Sequence, residues 1–354
     1  MEKVKERINY LIYGPAYFDI TLSVNGKLIP GDPPVTIDQS IAASGMERRT
    51  DGIVLLIGDS GDRLCFQLPP DQINLSSTYH LNEPILARLL GTDTKRVVVG
   101  EHQVTDCSVQ LGGMGAGYAL AFNGKLRFPV GGSGSCPDVS GRNILNELEK
   151  IRIETAATVI HGSTSDNTLL ILSNQGDKLA VGVRESLLRW QPSEIDHKMT
   201  AKADALVFCG APNRLVAEIL SWKPEIPVMC APAMRNVCDK DFPLADLAEN
   251  IDYLTLNSLE WQHLEGKDHI LSSVPVVSVT EGPRGSRIYF NGSELAIPAC
   301  QKIGPVNTNR AGETYGSTFF KALLHYAPEF HDTRSVDVDI ALRAGQIATA
   351  QADR

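Results

Sequence analysis

The sequence predicts an α/β fold with a mostly parallel sheet and a smaller, β-rich part beside it. Two observations carry this expectation. Short apolar runs alternate with amphipathic helical segments along the second half of the chain, the pattern of parallel strands joined by right-handed crossovers. Residues 20–110 instead read as short strands joined by turn signals. The alternation runs from about residue 140 to the end without a linker, so residues 1–354 are expected to form a single α/β domain.

The core strands are expected at residues 8–13, 168–173, 205–209, 226–230, 253–256 and 275–279. Two helices are expected between them. In residues 143–153, Ile144, Leu145, Leu148 and Ile151 share one face; in 213–222, Leu215, Val216, Ile219 and Leu220 do so. In the β-rich part, residues 52–57 and 64–68 read as strands, residues 58–61 as a turn and residues 83–90 as a helix.

Composition narrows the function. The 354 residues are 43% hydrophobic and 21% charged, as in ordinary soluble proteins. A net charge of −9 argues against nucleic acid as the main partner. Seven cysteines, an odd number without a C-x-x-C pair, point to a reducing compartment rather than a disulfide framework. The first residues lack the apolar core of a signal peptide, and no apolar run reaches the ~20 residues of a membrane helix. A cytoplasmic protein without membrane partners is expected.

Three segments carry chemistry. The late one, Asn307-Thr308-Asn309-Arg310-Ala311-Gly312-Glu313, runs into a helix whose Tyr315, Phe319, Phe320, Leu323 and Leu324 form one apolar face, with Pro328 after its end. Such a helix buries its flank and leaves its N-terminus, with free N–H groups, facing outward for an anion. Glu313 in the first turn is either a general base or simply a favourable first-turn carboxylate. A second segment, Thr280-Glu281-Gly282-Pro283-Arg284-Gly285, follows a strand and permits close backbone approach to a ligand. In a third, Asn257 and Glu260 lie three apart at a strand's C-terminal end, where open α/β sheets bind ligands. That pair can organise Mg²⁺ and phosphate through water, or merely start a helix.

In this order the segments resemble the ribokinase-like (PfkB) family of sugar and nucleoside kinases. N-x-x-E and T-x-G-x-x-G stand intact at Asn257–Glu260 and Thr280–Gly285. The family's D-T-x-G-A-G-D is present in altered form as Asn307–Glu313. Gly14 and Asp19 follow the first strand, as the family's substrate-binding Asp does. Gly112-Gly113 before an apolar helix resembles its Gly-Gly substrate motif, and Gly131-Gly132, Asp138 and Gly141 resemble the stretch after it. The resemblance spans nearly the whole chain, apart from an insertion at about residues 35–100.

The resemblance implies a three-layer αβα fold with a β-rich lid at approximately residues 20–110. It implies an ATP- and Mg²⁺-dependent transfer of phosphate to a sugar, nucleoside or related polyol. Glu313 would be the catalytic base, facing Asp19, and Arg310, Ala311 and Gly312 would surround the transferring phosphoryl group. Asp19, Gly112 and Gly113 would hold the acceptor. Asn257, Glu260, Thr280, Gly282 and Gly285 would line the nucleotide site, with Glu260 reaching Mg²⁺ through water. Pairing of two subunits through their lids would make a homodimer. Four positions depart from the family: Glu313 replaces its Asp, Arg310 a Gly, Asn307 an Asp, and Gly117 an Asn. These departures also fit a ribokinase-like protein that binds nucleotide or ligand as a sensor or partner and transfers phosphate poorly.

Overall fold

A computed structural model of the chain describes residues 8–24, 47–48, 53–57, 63–67, 104–173, 178–195, 197–222, 224–299 and 310–352. Its strands form two sheets. The larger contains β1 (Tyr10–Tyr13), β7 (Lys125–Ser133), β8 (Cys136–Pro137), β9 (Thr155–His161), β12 (Ala205–Cys209), β13 (Val228–Ala231), β14 (Tyr253–Asn257), β15 (Val276–Thr280), β16 (Ser286–Phe290) and β17 (Ser293–Ile297). Their order is β17-β16-β15-β14-β13-β12-β1-β7-β8, with β9 also paired to β7. From β15 through β1 to β7 every pairing is parallel, as is β7 with β9; the β16–β17 hairpin closes one edge antiparallel.

Helices cover both faces. On one face lie α1 (Met114–Phe122), α2 (Val139–Lys150), α5 (Ala311–Tyr326) and α6 (Val338–Ala352); on the other lies α3 (Asn213–Ser221). The short α4 (Ser258–His263) follows β14. The apolar stripe of α5 works as its spacing predicts: Tyr315, Phe319, Phe320 and Leu323 are buried, and Phe319 stacks on Tyr253 of β14 with ring centroids 4.9 Å apart. Truncating a fully buried Phe of this kind to Ala costs about 3–5 kcal/mol. On the other face Trp190, Leu215, Ile219 and Ile270 fill the second core. Helix α2 starts four residues earlier than its apolar pattern suggests, because Asp138 caps it by accepting from the Gly141 amide at 2.6 Å.

The smaller sheet has the order β3-β4-β5-β11-β10-β2-β6. It comprises β2 (Tyr17–Val24), β3 (Glu47–Arg48), β4 (Ile53–Ile57), β5 (Arg63–Gln67), β6 (Val104–Gly112), β10 (Asn167–Ser173) and β11 (Lys178–Val183). This corrects the sequence reading in one place. Residues 168–173 belong to the smaller sheet, not to the parallel core. Only four residues, Asn174 to Asp177, separate β10 from the antiparallel β11, too few for a crossover helix. The lid is thus built from two stretches of chain, and the core holds, besides the expected β1, two strands that the sequence reading does not include, β7 and β9. The last two were illegible because Arg127 and Pro129 interrupt one apolar run and small residues dilute the other.

The four backbones that pass from core to smaller sheet stand side by side. Gly112 pairs with Tyr17, Phe18 with Asn167, and Asn167 with Val183. No described helix is long and apolar enough to cross a membrane. The expected turn at 58–61, the helix at 83–90, and Asn307, Thr308 and Asn309 lie outside the described residues.

Candidate active site

The site forms where the two sheets meet, at the C-terminal ends of the core strands. Asp19 lies two residues into β2, opposite Gln110 of β6. Gly112 is what lets it sit there. A Cβ on Gly112 would fall 2.2 Å from Asp19 Oδ2, so any side chain at 112 evicts the carboxylate. Gly113 then takes φ 92° and starts α1, so the two glycines turn the chain from lid strand to core helix.

The N-terminus of α5 points at this corner. Arg310 occupies the N-cap position with φ 66°, a left-handed backbone that glycine takes without steric cost. Its Nη2 donates to the Leu111 carbonyl at 2.7 Å, one residue before Gly112. Ala311 and Gly312 form the first turn. Among the described residues a Cβ on Gly312 would meet nothing within 4 Å, so none of them fills the space beside the turn that an anion would take.

Glu313 lies between this turn and α1. Gly117 makes room for it: a Cβ there would stand 3.1 Å from Glu313 Cγ and 3.3 Å from Oε1. Burial pushes the Glu313 carboxyl up from its ordinary range, and the negative charge of Asp19 adds to the rise. Its own backbone amide and Arg310 pull the other way. Asp19 and Glu313 therefore sit close enough to feel each other's charge, with Arg310 beside them.

Asn257, at the end of β14, is the register partner of Thr280, at the end of β15. Glu260 and Asn257 form a reciprocal cap on α4: the Glu260 amide donates to Asn257 Oδ1, and the Asn257 amide to Glu260 Oε2, both at 2.8 Å. Their side chains thus start a helix at the C-terminal end of β14. Burial raises the Glu260 carboxyl to about 7, with a further push from Glu313 and opposing hydrogen bonds from Asn257. Gly282 and Gly285 shape the turn after β15, where Glu281 N–H donates to Gly285 O at 2.7 Å. Gly285 has φ 97°, and its Cβ would lie 2.0 Å from Ile297 O; the turn needs glycine for backbone packing against β17.

The geometry thus gathers Asp19, Gly112, Arg310, Glu313 and Glu260 in one neighbourhood, with the Asn257–Thr280 strand ends beside it. Two residues in that neighbourhood carried no sequence signal. The buried Tyr118 lies within electrostatic reach of Glu313 but reads as part of an apolar helix. Arg184 lies 4.0 Å from the centroid of the Tyr17 ring, beside the Gly112 backbone, but belongs to no motif.

Comparison with known proteins agrees with this architecture. The family model described as pfkB family carbohydrate kinase matches residues 87–352. None of the curated proteins matches the chain in sequence. Among solved structures, ribokinase from Giardia lamblia superposes with TM-score 0.63 at 15% identity, covering 98% of this chain and 92% of that one. A nucleoside kinase from Methanocaldococcus jannaschii gives 0.60 at 14%, covering 98% and 91%. The Burkholderia thailandensis nucleoside kinase in complex with inosine also gives 0.60 at 14%, covering 97% and 90%. The likeness is in fold.

Proposed function

The chain belongs to the pfkB family of carbohydrate kinases, and from that premise we propose that it moves the γ-phosphate of ATP to a hydroxyl of a sugar, nucleoside or related polyol, with Glu313 as base. The observation that carries this reading is the meeting of Asp19, Glu313 and the open first turn of α5 at one corner. Asp19, with the Gly112–Gly113 backbone, holds the acceptor hydroxyls. Glu313 takes the proton of the attacking hydroxyl as its oxygen bonds to the γ-phosphorus and the bond to the β,γ-bridging oxygen breaks. A carboxyl raised by burial accepts that proton more readily than an ordinary one. The Ala311 and Gly312 amides stabilise the charge on the transferring group.

The residues present fit Mg²⁺ as part of a shared shell. Among the described residues no three His, Cys, Asp or Glu side chains gather into a metal site. Glu260, however, is a poorly compensated carboxylate next to a second one, an arrangement a hydrated cation relieves. Glu260 would hold Mg²⁺ through water beside the ATP phosphates. When bound, the ion neutralises phosphate charge.

A second reading, nucleotide binding without efficient transfer, is favoured by Arg310, whose side chain stands at the mouth of the anion turn where the family has a bare glycine. ADP release from Mg-ATP with a panel of sugars, nucleosides and polyols separates the two. The kinase reading expects acceptor-dependent release. Calorimetric binding of a non-hydrolysable ATP analogue without release under any acceptor supports the second reading. Absence of both overturns the two together.

A further inference from the structure

The transfer chemistry leaves a set of buried hydroxyls beneath α5 unused. Tyr315, two residues after Glu313, lies on the apolar stripe of that helix, yet its hydroxyl donates to Ser286 Oγ at 2.9 Å. Ser286 opens β16 directly after Gly285 and is the register partner of Thr280, so it closes the turn that would line the nucleotide. Behind this pair, Ser278 Oγ of β15 donates to Thr255 Oγ1 of β14 at 3.0 Å and meets Tyr253 Oη at 2.7 Å. A serine hydroxyl has one hydrogen, so Tyr253 is the donor in the second bond. Tyr315 is within hydrogen-bonding reach of Ser278 as well, which joins the two groups. All five side chains are buried.

These hydroxyls do what the apolar stripe cannot. Hydrophobic contact is non-directional. Phe319, Phe320 and Leu323 decide which flank of α5 faces the sheet, but leave it free to slide or turn a little. A hydrogen bond between hydroxyls, held to about 2.5–3.0 Å, does not. The depth of the helix is set separately, at Gly316. A Cβ there would lie 2.7 Å from Tyr118 Oη and 3.0 Å from both Met229 Cε and Thr255 Cγ2, so the α5 backbone rests directly on α1, β13 and β14. Gly316 thus fixes the height of the helix and Tyr315 its rotation and slide. Both lie about one turn from the Ala311 and Gly312 amides. Burial pushes the Tyr315 phenol up to about 12, so it stays a neutral donor at ordinary pH.

We propose that Tyr315 is a positioning residue: through Ser286 it holds the Ala311–Gly312 amides at a set distance from the Thr280–Gly285 turn, so that one ATP molecule meets both turns at once, its γ-phosphate on the first. This rests on the reading above in placing ATP across those two turns.

The test reads the preference for triphosphate over diphosphate, since ADP lacks the γ-phosphate and engages only the second turn. Calorimetry measures a non-hydrolysable ATP analogue and ADP, each with Mg²⁺, on the parent chain and on Tyr315→Phe, which keeps the ring and its contact with Phe319. The parent is expected to prefer the analogue. Tyr315→Phe should weaken analogue binding by about 5- to 10-fold and leave ADP binding unchanged. Ser286→Ala, made on a different element, should reproduce the selective loss, and the double variant should lose no more than Tyr315→Phe alone. Melting curves show that the variants fold; if Tyr315→Phe does not, Ser286→Ala decides. A merely structural bond would lower the melting temperature and leave the ratio of the two affinities as in the parent. That ratio unchanged in the folded variants, or a parent without preference for the analogue, would overturn the inference while leaving acceptor-dependent ADP release free to support the kinase. Selective loss of the analogue without ADP release from any acceptor would sustain the inference and sink the kinase reading. A parent that binds neither nucleotide would overturn both.

Discussion

Glu313 and Gly117 are best understood as a pair. The family resemblance leads one to expect Asp at the first and Asn at the second, and the chain departs at both. The structure shows why the departures go together: the extra methylene of Glu313 occupies the space beside Cα of residue 117, where any Cβ would press on it at 3.1 Å. With Glu313 as the base proposed above, Gly117→Asn alone should crowd it and lower kcat, and Glu313→Asp alone should leave it short of the acceptor hydroxyl. The double variant should recover much of the loss, giving a coupling of about 0.5–3 kcal/mol in a double-mutant cycle on kcat/KM. Additive effects would disconnect the two positions. Glu313→Gln, which keeps the shape and removes the base, should lower kcat by about 10²–10⁴-fold with little change in nucleotide affinity. Gly112→Ala should raise the acceptor KM by displacing Asp19 and leave binding of an ATP analogue intact. At this scale Glu313 was singled out by the order of the motifs around it, since a carboxylate in the first turn of a helix is by itself ordinary. The place of Tyr118 beside Glu313 was unreadable because the two lie 195 positions apart in the chain.

Helix α4 shows how one element serves two purposes. Spacing placed Asn257 and Glu260 on one face at a strand's end, and the structure adds that they cap the helix through each other. Asn257→Ala should therefore cost about 1 kcal/mol of stability, besides any effect on nucleotide binding, seen as a lower urea midpoint. Glu260→Gln separates charge from cap, since Gln preserves the reciprocal bond. Burial raises the folded-state carboxyl to about 7, so its contribution to stability is fully present below the ordinary value near 4.5 and is lost as pH rises through 7. The variant should thus melt a few degrees above the parent at pH 8, with the gap closing toward pH 5. A constant gap across that range would show that the carboxyl is not held up by burial. The strands around α4 were legible as continuous apolar runs. Strand β10 was misplaced, and β11 beside it missed, because an isolated apolar strand does not say which sheet it joins.

On the scale of the whole molecule, the end of the core away from the site is fastened by Asp252, only 1% exposed, just before β14. It accepts from the Val228 amide and from His331 at 2.8 Å and from Arg334 at 3.3 Å, tying β13 and β14 to the chain that leads into α6. The bond to Asp252 raises the His331 imidazole above its usual value. Its stabilisation is complete below pH 6.5 and fades as pH rises through that higher value. His331→Gln should lower the melting temperature at pH 6 and matter less at pH 9; equal losses at both would remove the ion pair from the account. The other end carries the row of four crossing backbones, Gly112, Tyr17–Phe18, Asn167 and Val183. Parallel crossings in one line behave like the knuckles of a door hinge, permitting rotation about that line and resisting shear and twist. Asp19 lies two residues beyond the pins and Val24 seven, about 7 Å and 23 Å along a strand. A swing of about 20° would then carry Val24 through roughly 8 Å but Asp19 through only about 2 Å. Such a swing would move the carboxylate nearest the pins least, so on the function proposed above a small acceptor could come and go without the grip on its hydroxyls being rebuilt each time.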